Sequence, residues 1–159
     1  MPVVGTPTTP SVVTKDQVRM FMRDYAPNNI LLDTVEFTDK ELNLAIEMAV
    51  SAFNTVTPQT NFTPQSFPQG LMYLLLIGTT RFLLTSNSFM QARNQATVQD
   101  GDIAPIGISD KAALYSQLSQ TLKSEWDELT RGVKTQNNME SAYNTLSSGY
   151  RNVSRFNKS

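Results

Sequence analysis

Apolar and polar positions alternate along this chain in a way that marks out helices grouped around one very apolar run. That run is GLMYLLLIGTTRFLL, residues 70–84; no residue from 71 to 78 is charged, and the first charge is Arg81. It is too long and too rich in leucine for an ordinary strand, and too short for a membrane span of about 20 apolar residues. It predicts a helix buried on most of its circumference, running through Leu71 and ending near Gln95. Gly78 inside it costs about 1 kcal/mol against Ala, which points to a close helix crossing. Arg81, set among apolar neighbours, is expected to pair with a carboxylate such as Asp24, Glu41 or Glu47.

Two amphipathic helices precede this run. In TKDQVRMFMRDY, Thr14 and Gln17 form a capping box, with Val13 and Val18 at the staple positions. Val18, Phe21, Met22 and Tyr25 then make one face, and Pro27 stops the helix. In the second, Thr38 and Glu41 form the box, Phe37 and Leu42 the staple, and Asp39 a carboxylate favoured by the helix dipole. Leu42, Ala45, Ile46, Ala49 and Phe53 form its apolar stripe, so a helix is expected over about residues 38–56. A polar loop with three prolines follows at 57–69, in which Thr63-Pro64 or Ser66 offers a start for the apolar helix.

After the apolar helix the periodicity breaks at 97–108, TVQDGDIAPIGI, which reads as a short hairpin or an extended loop. Asp100-Gly101 is a turn signal. Asp100 and Asp102 look like a fragment of a calcium loop but lack the other ligands, so no metal is expected there. A long helix opens at Ser109 and Asp110. Leu114, Leu118, Leu122, Trp126, Leu129 and Val133 recur along it every three or four residues, and Gly132 or Thr135 marks its end. The last stretch, 136–159, differs: Met139, Tyr143, Leu146, Tyr150, Val153 and Phe156 keep helical spacing, but Ser-Ser-Gly interrupts them. It has no acid after Glu140, while Arg151, Arg155 and Lys158 are basic. A solitary helix this polar is marginal in water. The stretch therefore reads as a tail that orders on a partner, the alternative being a last helix packed on its own domain.

Composition narrows the chemistry. The 159 residues suit one domain, and a net charge of −1 gives no general attraction to nucleic acid or anionic membrane. With no Cys and no His, disulfides, thiol and imidazole catalysis and His- or Cys-ligated zinc are excluded. The carboxylates fall at helix starts and polar faces, and no phosphate loop or nucleophile elbow is present, so no enzyme activity and no cofactor are expected. Three positive charges in the tail would neutralise about three phosphates, a weak salt slope of about −2.7 on duplex DNA. Residues 1–13 hold three prolines and several threonines without a hydrophobic period or a signal-peptide pattern. They read as an extended arm.

The architecture expected is all-α: a small bundle of about four to five helices at 14–135, between an arm at 1–13 and a tail at 136–159. The order VRMFMRDY, then ILLDTVEFTDKELNLAIEMAVSAFN, a Pro-rich loop, LLLIGTTRFLL, a loop at DGDI and a helix from SDKAALYSQL resembles the head–tail connector adaptors of tailed bacteriophages. The part most like that family is Arg23-Asp24 with Phe37 to Ile46. The resemblance implies a structural virion protein at the neck, forming a dodecameric ring with neighbouring copies beneath the portal protein. It would extend the channel, with DNA as passing cargo and no membrane, and present a platform to the next neck or tail protein. It further implies that the tail meets the portal, through Tyr143, Tyr150, Arg151, Val153, Arg155, Phe156 and Lys158. The loop, with Asp100, Asp102, Ile103 and Ile106, would be a second contact. The competing readings are a nucleic-acid-binding packaging component, which needs a clustered basic helix not found here, and a generic helical protein-interaction domain.

Overall fold

The structure, a computed structural model, describes residues 11–29, 34–98 and 108–156, with side chains at 11–29, 34–94 and 111–143. Four helices occur in order: α1 Lys15–Met22, α2 Asp39–Thr55, α3 Met72–Val98 and α4 Ile108–Phe156, with short 3-10 turns at Ala26–Asn28 and Gln69–Leu71. The protein is all-α, as the periodicity predicts, and no strand occurs among the described residues. Of the arm expected at 1–13, residues 1–10 lie outside the described residues and Val12 bonds to the Pro64 carbonyl; of the hairpin or loop expected at 97–108, residues 97, 98 and 108 are helical and 99–107 lie outside the described residues.

Both capping boxes form. Thr14 accepts from the backbone N–H of Gln17, whose side chain accepts from Thr14 N; Thr38 and Glu41 repeat the exchange. The staple residues Val13, Val18, Phe37 and Leu42 are buried, which fixes how each chain segment enters its helix. The stripe of α2, Leu42, Ala45, Ile46, Ala49 and Phe53, is buried as expected.

Helix α1 ends earlier than the position of Pro27 predicts. Arg23 adopts a left-handed conformation, φ 58°, and its N–H closes onto Arg19 and Met20 carbonyls. The early stop places Asp24 inside the protein. Its carboxylate accepts N–H bonds from Glu36 (2.6 Å) and Phe37 (3.1 Å), from Asn29 Nδ2 (2.8 Å), and from the Arg19 guanidinium at 3.0 Å. Four donors outweigh one more helical turn, so Phe21 and Tyr25 stay exposed and only Val18 of the predicted face is fully buried.

Helix α3 is buried on most of its circumference from Leu74 to Leu84, as the apolar run predicts, but it starts at Met72. Thr63 to Ser66 does close a hydrogen-bonded turn. Pro68 then prevents that turn from continuing, because it lacks an N–H and disfavours helical geometry before it. Phe53, Phe62 and Phe67 pack together with centroids 5.2 to 6.2 Å apart, closing the core under this loop. Gly78 is the crossing point. A Cβ there would lie 2.6 Å from Trp126 Nε1 and 3.2 Å from the Ala49 Cβ, so α2 and α4 both approach α3 at this residue.

Arg81 has no salt bridge to Asp24, Glu41 or Glu47. Its guanidinium stacks at 4.6 Å over the rings of both Trp126 and Phe82. Asp24 is taken by Arg19, and Glu41 by the cap. Burial lowers the Arg81 pKa from its ordinary value, and the Asp127 carboxylate opposes that shift. Two aromatic faces and one negative charge at a distance replace the expected ion pair.

Candidate partner-binding surface

Helix α4 carries the longest exposed surface among the described residues, and its geometry follows from how it meets α3. Thr85 and Ser119 share a hydroxyl–hydroxyl bond of 2.6 Å, and Gly78 meets Trp126. Residue numbers fall on one helix as they rise on the other, so the two run antiparallel. The seam between them is polar. Of the described α4 side chains, four are buried: Ser119, Trp126, Thr130 and Lys134. From α3 they meet a face that includes Thr79, Thr80 and Asn87, also buried. Glu36 adds a carboxylate that accepts from Asn87 Nδ2 and from the Tyr115 hydroxyl at 2.8 Å. Burial, and then the bond to Glu36, push the Tyr115 phenol up to about 12.

The last buried residue is Lys134. Its ammonium donates to the Pro58 carbonyl and to Thr60 Oγ1, each at 2.9 Å, and lies 4.1 Å from the centroid of the Phe53 ring. No carboxylate takes part, and burial lowers the amine pKa. Asn54 holds the same loop from the other side, bonding to Thr60 and to the backbone of Phe62. Lys134 thus ties α4 to a loop that is itself fixed to the end of α2.

Beyond Lys134 the helix continues instead of ending at Gly132 or Thr135. Gly132 meets nothing within 4 Å of its Cβ position, so it saves no steric clash, and the helix carries it at the usual cost of about 1 kcal/mol. Residues 147–149, Ser-Ser-Gly, are also helical. Every side chain from Thr135 to Tyr143 is exposed. At about 1.5 Å per residue, the part from Thr135 to Phe156 extends about 33 Å past the anchor. The tail is the continuation of α4, projecting from the bundle.

The leucines of α4 do not share one buried face. Leu122 and Val133 are half-buried on the bundle side, together with Trp126. Leu114, Leu118 and Leu129 are 53%, 44% and 38% exposed, and Met139 and Tyr143 are 52% and 64% exposed. At about 100° per residue, these five positions fall within an arc of about 80°. Helix α4 therefore has an apolar ridge facing outward and a largely polar seam facing inward. A second exposed apolar area lies where Leu44 and Met48 of α2 adjoin Phe82 of α3, over a shallow cavity of about 190 Å³.

Of the residues predicted to meet partners, Tyr143 is on the projecting helix and exposed. Tyr150, Arg151, Val153, Arg155 and Phe156 are on the same helix, beyond the described side chains. Asp100, Asp102, Ile103, Ile106 and Lys158 lie outside the described residues. Sequence reasoning missed Leu114, Leu118 and Leu129 as surface residues. The polar character of Ser119 and Thr130, one helical step away, was the available signal. No protein-family model matches the chain, and no curated protein or solved structure matches it.

Proposed function

We propose that this protein is a structural adaptor of a phage neck, forming a ring beneath the portal that extends the DNA channel and carries the next neck or tail protein. One observation carries the reading: α4 leaves the bundle at Lys134 and runs on to Phe156, with all its described side chains there exposed. A helix of this composition standing alone is marginal in water, and Met139 and Tyr143 on it are apolar surfaces suited to a partner. The helix order adds support, because two capped helices, an apolar helix and a long helix stand in the sequence order that resembles connector adaptors. The tail from residue 136 would dock on the portal, and the 99–107 segment would form a second contact. The small net charge of −1 suits a wall past which DNA slides without sticking. Among the described residues no helix is long and apolar enough to cross a membrane.

Electron microscopy of the native particle, with this protein labelled, tests the reading directly. Density for several copies between portal and tail is expected. Purified protein that stays off its portal at high concentration, together with virions lacking it at the neck, would sink the proposal.

A further inference from the structure

The apolar ridge of α4 has a pattern that specifies its occupant. Reading along this arc of the helix gives Leu114, Leu118, Thr121, Glu125 (half-buried, accepting from the Tyr73 hydroxyl of α3), Leu129, Gly132, Gln136, Met139 and Tyr143. Two apolar residues, two polar, one central leucine, two non-apolar and two apolar make a near palindrome centred between 128 and 129. An antiparallel pairing about that centre sets position 114 against 143, 118 against 139, 121 against 136 and 125 against 132. Leu129 falls beside its own mate. Every apolar position meets an apolar one.

We infer that the ridge is a two-fold interface, and that its occupant is α4 of a second copy of this chain, antiparallel. Three observations favour that occupant and that direction. First, the face α4 turns to its own bundle buries Ser119, Thr130 and Lys134 beside Trp126, while Leu114, Leu118 and Leu129 are left exposed. A helix that kept no second partner would gain more by the opposite arrangement. Second, a parallel pair would set Glu125 against Glu125. The antiparallel pair brings Arg131 within a turn of the partner's Glu125 and Glu128, so the charges complement one another. Third, the antiparallel pair lays the exposed Met139 and Tyr143 of each copy on the bundle-supported Leu118 and Leu114 of the other. Each projecting helix then rests on a folded domain. The contact spans residues 114–143, about 45 Å of helix.

The inference does not rest on the neck reading, and it adds a constraint to it. A contact of this kind is isologous, whereas neighbours in a cyclic ring larger than a dimer touch through unlike surfaces. The α4 pair is therefore the form of the unassembled protein, and entry into a ring requires it to open. While closed, it covers Tyr143 and Met139 and keeps the first turns of the tail from a partner.

The absence of cysteine makes the test clean. Full-length Leu129→Cys, Leu114→Cys and Tyr143→Cys are purified, oxidised under mild conditions and run on non-reducing gels. Sedimentation velocity of the wild type and Leu129→Glu accompanies them. Expected are a wild-type dimer, a shift to monomer in Leu129→Glu, disulfide dimers from Leu129→Cys alone, and crosslinks between Leu114→Cys and Tyr143→Cys only when they are mixed. Self-crosslinking of Leu114→Cys would mean a parallel pair and overturn the inference. A monomeric wild type without crosslinks would overturn it too, as would a monomer whose Leu129→Glu variant loses portal binding. A protein that forms rings on its portal but gives no Leu129→Cys crosslink before assembly would remove the two-fold pair and leave the neck reading standing. A wild-type dimer with the expected crosslinks, from a protein that is itself absent from virions, would do the reverse.

Discussion

Gly78 of α3 and Trp126 of α4 are so close that one added carbon on the glycine would lie 2.6 Å from the indole Nε1. That contact sets the separation of the two longest helices, and Ala49 closes the same space from α2. Gly78→Ala would gain about 1 kcal/mol of helix propensity and lose about 1–3 kcal/mol to overpacking. A net loss of stability is expected in urea titration, with altered Trp126 fluorescence. A variant more stable than the wild type would show that the indole moves aside freely.

Asp24 governs the turn between α1 and α2. Asp24→Ala removes the acceptor for two backbone N–H groups and leaves the half-buried Arg19 with the exposed Asp39 as its remaining carboxylate. Breaking a buried pair from one side costs about 3–5 kcal/mol, so a large drop in melting temperature is expected. A change near zero would mean that the turn is held elsewhere.

Tyr115 makes stability depend on pH at the alkaline end. Its folded pKa of about 12 lies above the ordinary phenol value of 10.0, so between those values the folded state holds a proton that the unfolded state has lost. Its contribution is complete below pH 10 and declines as pH rises towards 12. Lys134, with its lowered pKa, acts in the opposite sense. Comparing wild type with Tyr115→Phe isolates the phenol. The wild type should lose stability more steeply than the variant above pH 10; parallel curves would mean that Tyr115 titrates as a free phenol.

Removal of residues 136–159 should leave the bundle folded, because the described side chains beyond Lys134 are all exposed. Circular dichroism should show helix lost in proportion to the deleted turns and a melting transition little changed; if the proposed neck role holds, portal attachment weakens as well. Aggregation of the truncated protein would place the tail within the core.

What could be read from the sequence was what local chemistry decides. Thr14 with Gln17 and Thr38 with Glu41 lie three residues apart, so their bonds form whatever the rest of the chain does. The apolar run around Leu75 had to be buried somewhere. Partner identity was another matter. The sequence predicts a carboxylate for Arg81, but its guanidinium stacks on its neighbour Phe82 and on Trp126, which α4 brings to it. Nothing in the apolar run announces that ring. The leucines of α4 were ambiguous in the same way, because two adjacent stripes share one spacing and only the tertiary seam chooses between them. Thr85 and Ser119 made the choice by bonding to each other. Gly132 and Ser147-Ser148-Gly149 are poor helix formers and so read as stops, yet the helix runs through all of them.

Lys134 gives the molecule the mechanics of a lever. It is a fulcrum, gripped by the Pro58 carbonyl, Thr60 and the Phe53 ring, with one arm of about 40 Å lying along the bundle and a free arm of about 33 Å beyond it. A rotation of about 10° at this point would sweep the far tip through about 6 Å. Small adjustments around Phe53 and the 56–62 loop would therefore be amplified at the end of the helix, letting one rigid protein aim its distal end over a range of positions.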